Sequence, residues 1–235
     1  SHKMEEILRI SDEVTVMRDG AWVATEPAAE MTMERIIKLM VGRELSSLYP
    51  AKHEPDIDEE IALAVSNLTT AYVKDATFSV RKGEVFGFSG LIGSGRSELM
   101  EAIAGIRVPT NGHVFVYGTP LQPGDVRTAN RAGLAYMTKD RKGKGLLLQE
   151  GMVVNLTLQS LERHGSLAYL DPKSESKAMD RARRRFDIRV RDGNVVAARM
   201  SGGNQQKLLL AKVMETDPKI VIIDEPTRGI DVGTK

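Results

Sequence analysis

The chain contains no cysteine, which excludes disulfides and cysteine-ligated zinc and is compatible with a reducing compartment. It has almost no net charge, 33 Lys and Arg against 32 Asp and Glu, so no overall field favours nucleic acid or an acidic membrane surface. Aromatic residues are scarce, at 5%. No apolar run approaches the length that spans a bilayer, and no signal peptide is visible. The expectation is a soluble chain whose membrane association would come through a partner. What is present suffices for a packed core. The 235 residues, 41% of them hydrophobic, hold one large domain or one domain and a substantial fragment. Neither Ser1-His2-Lys3-Met4 nor Gly233-Thr234-Lys235 resembles a natural terminus, so the chain reads as a piece of a longer polypeptide.

One stretch organises the rest. Gly90-Leu91-Ile92-Gly93-Ser94-Gly95-Arg96-Ser97 follows the apolar run Val85-Phe86-Gly87-Phe88 and precedes Glu98-Leu99-Met100-Glu101-Ala102-Ile103, which reads as a helix. Strand, glycine-rich turn and helix are the context that a phosphate-binding loop requires. Glycines let consecutive N–H groups converge on phosphate oxygens, and the helix N-terminus adds its partial positive charge. One position departs from the G-x-x-x-x-G-K-[ST] pattern: Arg96 stands in the place of lysine.

Along the chain, Met4 to Ile10 reads as a short helix, and residues 14–17 and 21–24 as a hairpin turning on Asp19-Gly20. Thr32 is the expected cap of a helix that stops near Gly42. Residues 46–60 turn polar, with Pro50, Pro55 and five acids, and read as a linker. Strands are expected at 63–68, 76–80, 114–117 and 134–137. Glycine and lysine crowd 139–145, the signature of a mobile loop. Helices are expected at 152–161 and 174–186, the second carrying Arg181, Arg183, Arg184 and Arg185. Without interleaved aromatics that run reads as a solvated face rather than a nucleic-acid patch. A further helix runs from Ser201 to about Met214, before the continuous apolar strand Ile220-Val221-Ile222-Ile223 of a parallel sheet covered on both faces. The expected class is α/β, with a mostly helical insertion at about 147–198.

The strand ending in Asp224-Glu225 is the natural partner of a phosphate loop. In a P-loop NTPase the aspartate holds Mg²⁺ beside the loop's Ser or Thr, here Ser97. Glu225 would position or deprotonate the attacking water. Two acids after a lone strand would usually be a solvated turn; the upstream loop makes the chemical reading the stronger one. Ser201-Gly202-Gly203 offers another group of N–H donors for phosphate, or simply an N-cap and the turn before it. Spacing alone does not choose between these.

Ser-Gly-Gly-Asn-Gln-Gln-Lys at 201–207 and Ile-Ile-Asp-Glu-Pro-Thr-Arg-Gly-Ile-Asp at 222–231 resemble the ATP-binding subunits of ABC transporters. The Asn-Gln-Gln-Lys ending and Pro-Thr-Arg-Gly-Ile-Asp-Val-Gly are similar to the subgroup importing ribose, xylose, galactose, nucleosides or an autoinducer. That resemblance covers essentially the whole chain. It implies a P-loop NTPase core with a helical subdomain and an antiparallel β subdomain. Residues 1–45 would be the tail of a first nucleotide-binding domain, 46–60 a linker, and 61–235 most of a second, which stops short of its own last strand and closing hairpin. Residues 1–45 resemble that hairpin and the helix after it and would fill the vacated place.

The resemblance also implies roles. Gly90, Leu91, Ile92, Gly93, Ser94, Gly95, Arg96 and Ser97, with Glu98, would bind ATP as the Walker A loop. Ser201, Gly202 and Gly203 would be the signature, Asp231 the D-loop aspartate, Ser97 and Asp224 the Mg²⁺ ligands, and Glu225 and His2 the catalytic pair. Tyr72 is either an adenine-stacking ring or a strand-edge tyrosine. Lys139 stands where the family has glutamine or glutamate; it can face phosphate but accepts no hydrogen from metal-bound water. Such domains work as head-to-tail pairs, so His2 and the signature would serve a site outside this chain, and the Arg96 site would mainly bind nucleotide. Integral membrane permease subunits, an extracytoplasmic solute-binding protein and the twin domain are the implied partners, at the cytoplasmic face of the membrane, with no nucleic acid. The alternatives are a soluble ABC ATPase acting on nucleic acid or ribosomes, and a nucleotide-binding regulatory module without hydrolysis.

Overall fold

Local signals shape the first part of the structure, a computed structural model that describes residues 4–18, 20–42, 56–166, 169–190 and 195–227. The described residues fall into two compact units, one within 4–42 and one within 56–227. In the first, α1 (Met4–Ile10) leads into the antiparallel hairpin of β1 (Glu13–Arg18) and β2 (Ala21–Pro27). Thr32 then caps α2 (Met33–Val41), its hydroxyl accepting from the Arg35 N–H at 3.2 Å. Gly42 ends the helix in the left-handed region at φ 79°, its N–H donating to the Lys38 carbonyl; only glycine adopts that geometry at little cost. Val14, Val16, Ala28, Met31 and Ile36 form the small core beneath the hairpin.

The second unit begins where the sequence still reads as linker. The Asp58 N–H donates to the Lys82 carbonyl and the Lys82 N–H to that of Glu60, while the Lys82 ammonium sits 3.2 Å from Asp58 and 3.5 Å from Glu60. β3 (Ile61–Thr69) lies between β4 (Ala76–Arg81) and β5 (Asn111–Val116), and β6 (Thr119–Pro120) extends the sheet beyond β5. All its pairings are antiparallel. Its inner face, Leu63, Val65, Leu68, Val114 and Val116, is buried in one cluster with Leu99, Met100 and Ile103 of α3 (Arg96–Ile103). α4 (Val126–Arg131), capped by Asp125, leads to β7 (Leu134–Met137).

The insertion contains α5 (Met152–Thr157), a small hairpin of β8 (Gly165–Ser166) and β9 (Tyr169–Leu170), and α6 (Pro172–Arg185). α5 is shorter than the spacing predicts, and the hairpin was not foreseen. Asp171 caps α6 and Pro172 occupies its first turn, the position where a missing N–H costs nothing. Arg181, Arg184 and Arg185 are exposed, as expected of a solvated face. α7 (Gly202–Glu215) packs on this layer through Leu208 and Leu209, against Met152, Leu156, Ala178 and Met179. β10 (Ile220–Ile223) then pairs in parallel with β7, from Leu134↔Ile220 to Met137↔Ile223.

Three expectations are corrected. Val85-Phe86-Gly87-Phe88 is not a strand: Val85 is 94% exposed. A strand exists only where a neighbour takes its N–H and C=O groups, and none pairs here among the described residues. Phe86 and Phe88 instead pack on Phe78, with ring centroids 5.6 and 5.0 Å away. Nor is β10 covered on both faces; Ile223 is 47% exposed, and a cavity of about 640 Å³ opens between β10 and residues 81–88. Finally, 139–145 is not a loose loop but folds as a turn of π-helix at Arg141–Gly145, with Asp140 accepting from the Gly143 N–H.

Candidate functional site

The loop from Gly90 to Gly95 is shaped by its glycines. Gly93 and Gly95 lie at φ 86° and 83°, and a turn is closed from the Ser94 N–H to the Leu91 carbonyl. Gly95 immediately precedes α3, whose first N–H groups have no partner within the helix. Leu91 to Glu98, Lys139 and Glu225 line a cavity of about 240 Å³. Tyr72 and Val73, in the turn between β3 and β4, lie against Gly95.

Two cations occupy the chemically interesting positions. The Lys139 ammonium, at the end of β7, donates to the Ser97 hydroxyl at 2.6 Å; Ser97 is only 9% exposed. Across the mouth, an Arg96 guanidinium nitrogen lies 3.6 Å from a Glu225 carboxylate oxygen. Both side chains of that pair are partly exposed, so water screens it. Glu225 also holds φ at 44°, a region sparsely populated by residues with a Cβ and more often found at functional positions. Asp224 is buried; its N–H continues the ladder to the Met137 carbonyl, and its carboxylate accepts from the Tyr136 hydroxyl at 3.2 Å. Burial, and then the negative charge of Asp224, push the Tyr136 phenol well above its ordinary value, so it remains a donor.

Ser201 caps α7, its hydroxyl accepting from the Asn204 N–H at 3.3 Å, which realises the capping reading; Ser201 is exposed, and Gly202 and Gly203 are half-buried. The cap is held from behind. Asn204 exchanges hydrogen bonds with the Arg189 backbone, and Arg141 donates to the side-chain oxygens of Gln205 and Gln206. The π-helical turn thereby joins the start of α7 to α3, because its Lys144 donates to Glu101 at 2.9 Å. His2 and Asp231 lie outside the described residues.

Glu101, Arg141, Lys144 and Asn155 were not singled out from sequence. Glu101 sits in α3 at 5% exposure and accepts from both Lys144 and Arg107. Burial alone would push its carboxyl up; the hydrogen bonds and charges of Lys144 and Arg107 together outweigh it and hold the group below the usual 4.5. A carboxyl depressed by folding stabilises the protein above its unfolded value, and that contribution is lost as pH falls through the folded one. Glu101→Gln should therefore cost about 1–3 kcal/mol at neutral pH. The gap to the parent in thermal melts should narrow progressively as pH falls below 4.5; a gap that stays constant with falling pH would refute the assignment.

The fold itself is that of an ATP-binding cassette. It matches a dimeric cassette in a post-hydrolysis state with ADP and Pi at a TM-score of 0.63, over 73% of this chain and 77% of that one, with 20% identity. Residues 73–228 match the family model described as ABC transporter, and the chain belongs to that family. Over its full length it is 43% identical to the ribose import ATP-binding protein RbsA 3 of Rubrobacter xylanophilus, covering 47% of that protein. It is 42% identical to the xylose import ATP-binding protein XylG of Burkholderia cenocepacia, again over all of this chain and 47% of the relative. The chain thus spans about half the length of the curated relatives it matches.

Proposed function

We propose that this chain is the nucleotide-binding half of a subunit that uses ATP to energise import of a simple sugar or similar small solute. The likeness to ribose and xylose import ATP-binding proteins over the whole chain carries that reading. In this reading the chain sits on the cytoplasmic side of the membrane, and permease subunits, an extracytoplasmic solute-binding protein and a twin nucleotide-binding domain are the partners it requires. Among the described residues no helix is long and apolar enough to cross a membrane, so contact with the bilayer falls to those partners.

In this reading the Gly90–Ser97 loop and the N-terminus of α3 hold the phosphates, and Arg96 supplies fixed positive charge. Tyr72, beside Gly95, is placed to meet the base. Ser201 to Gly203, with His2, serves the nucleotide of the paired domain, and Asp231 the contact between the two. The divalent cation implied by the family would take Ser97 and Asp224 as ligands, but Lys139 already donates to Ser97. These residues do not fit that ion.

Glu225 faces Arg96, so its carboxylate is aimed at a cation rather than at a water poised for in-line attack. This supports binding here and hydrolysis at the paired site. In the full-length subunit with its permease in vesicles, Glu225→Gln and Arg96→Lys should leave uptake of labelled ribose, xylose or galactose running. The corresponding glutamate change in the paired domain should stop it. Complete loss of uptake with Glu225→Gln would sink the division of labour; uptake of none of the sugars would sink the solute class. The same two cations favour a second reading, a regulatory module that binds nucleotide without turnover, and nucleotide retention with no contribution to transport would select it.

A further inference from the structure

The contact between Lys139 and Ser97 joins residues 42 positions apart at 2.6 Å, and it changes what the loop can bind. Ser97 is the hydroxyl that a divalent ion beside the phosphates would need, and an ammonium group already donates to it. Magnesium requires close, near-octahedral oxygen ligands and tolerates no fixed cation in its shell. Glu225 is paired with Arg96, and Asp224 accepts from Tyr136.

We propose that the Lys139 ammonium takes the place of the divalent cation at this loop, so that the site binds nucleoside triphosphate without metal. This deepens the nucleotide-binding reading and rests on it. An ammonium has three N–H donors in a compact charge. One goes to Ser97, which fixes the position of the nitrogen, and two remain for phosphate oxygens in the cavity shared by Lys139, Glu225 and the loop. Arg96 lies at the same mouth but is paired with Glu225, and Glu98 lines it as well, so the cation left for phosphate is Lys139. That ammonium and the helix N-terminus are what the loop offers a polyphosphate in place of a metal's charge. Occupancy then follows the nucleotide concentration and not the free magnesium concentration. A triphosphate held this way lacks the ion that supports hydrolysis elsewhere, so it stays as a structural occupant.

Equilibrium dialysis of the 235-residue chain with radiolabelled ATP, in excess EDTA and in excess magnesium, tests this. The dissociation constants in the two buffers should agree within about threefold, under half the free energy of a tenfold change. Lys139→Gln should weaken binding in EDTA by about tenfold or more, the loss of one charge-assisted hydrogen bond, with magnesium restoring part of it. Lys139→Arg, which keeps the charge, should retain more binding in EDTA than Lys139→Gln. Tight binding by the parent chain in magnesium with a tenfold or greater loss in EDTA would overturn the proposal and leave the nucleotide reading standing. Absence of binding in both buffers would overturn that reading and the proposal with it. The parent chain alone decides between these outcomes, whether or not the variants fold.

Discussion

Asn155→Ala is expected to destabilise the second unit by about 3–5 kcal/mol. Asn155 is 0% exposed. Its amide nitrogen lies 2.9, 3.3 and 3.0 Å from the carbonyls of Leu147, Glu150 and Gly151, and its side-chain oxygen accepts from the Leu147 N–H at 2.7 Å. The turn it holds also receives the N–H groups of Ala197 and Ala198, so it ties the insertion to the segment leading into α7. Alanine would leave the Leu147 N–H without a partner in a dry interior, with a cavity beside it, and would take a second donor from three carbonyls that each keep one backbone N–H. Asn155→Asp keeps the acceptor for Leu147 but turns a second oxygen toward three carbonyls, so it should be no better than alanine at neutral pH. Chemical denaturation of the three proteins decides this; an aspartate variant as stable as the parent would show that the amide donors do little.

Gly95→Ala should weaken ATP binding by more than about tenfold, at least the upper end of what one ordinary hydrogen bond contributes. The residue holds φ at 83°, and an added Cβ would lie 2.5 Å from a Val73 methyl and 3.1 Å from the Tyr72 Cβ and carbonyl. Holding alanine in the left-handed region costs about 1–2 kcal/mol before any clash. Relief would come by moving the loop off the β3–β4 turn, which disperses the N–H groups meant for phosphate. Adding Val73→Ala removes the nearer clash and leaves the backbone penalty, so the double variant should recover part of the lost affinity. Equal affinities for Gly95→Ala and the parent, by the same dialysis, would show that the loop binds without this geometry.

Much of the fold was legible because its signals are local. Thr32 and Gly42 bound a helix by hydrogen bonds within four residues, and β7 and β10 announced themselves as short apolar runs between turn residues. The turn before the fourth strand was legible less well: Tyr117, expected as the last residue of a strand, has φ 47° and turns with Gly118 toward β6. Residues 85–88 have strand-like composition too, but composition cannot supply the neighbour that a strand needs. Lysine and glycine at 139–145 suggest mobility when read alone. They fold because Asp140 caps the turn, Lys144 finds Glu101, and Lys212 of α7 donates to the Gly145 carbonyl from a buried position. Burial pushes the Lys212 ammonium down, a cost the sequence gives no hint of.

The same division runs through the site. The sequence by itself determined the phosphate loop, the capped glycine-rich start of α7 and the acids closing β10, because each depends on residue types a few positions apart and on backbone freedom. The resemblance carried by residues 201–207 and 222–231 implied the family, which the match of residues 73–228 to its model bears out. Only the tertiary structure decided that Lys139 meets Ser97 and that Arg96 meets Glu225. Such contacts join residues distant in the chain, set by how β7, β10 and α3 are placed, and no local propensity encodes them. They are what sets one cation against Ser97 and another against Glu225 around this loop.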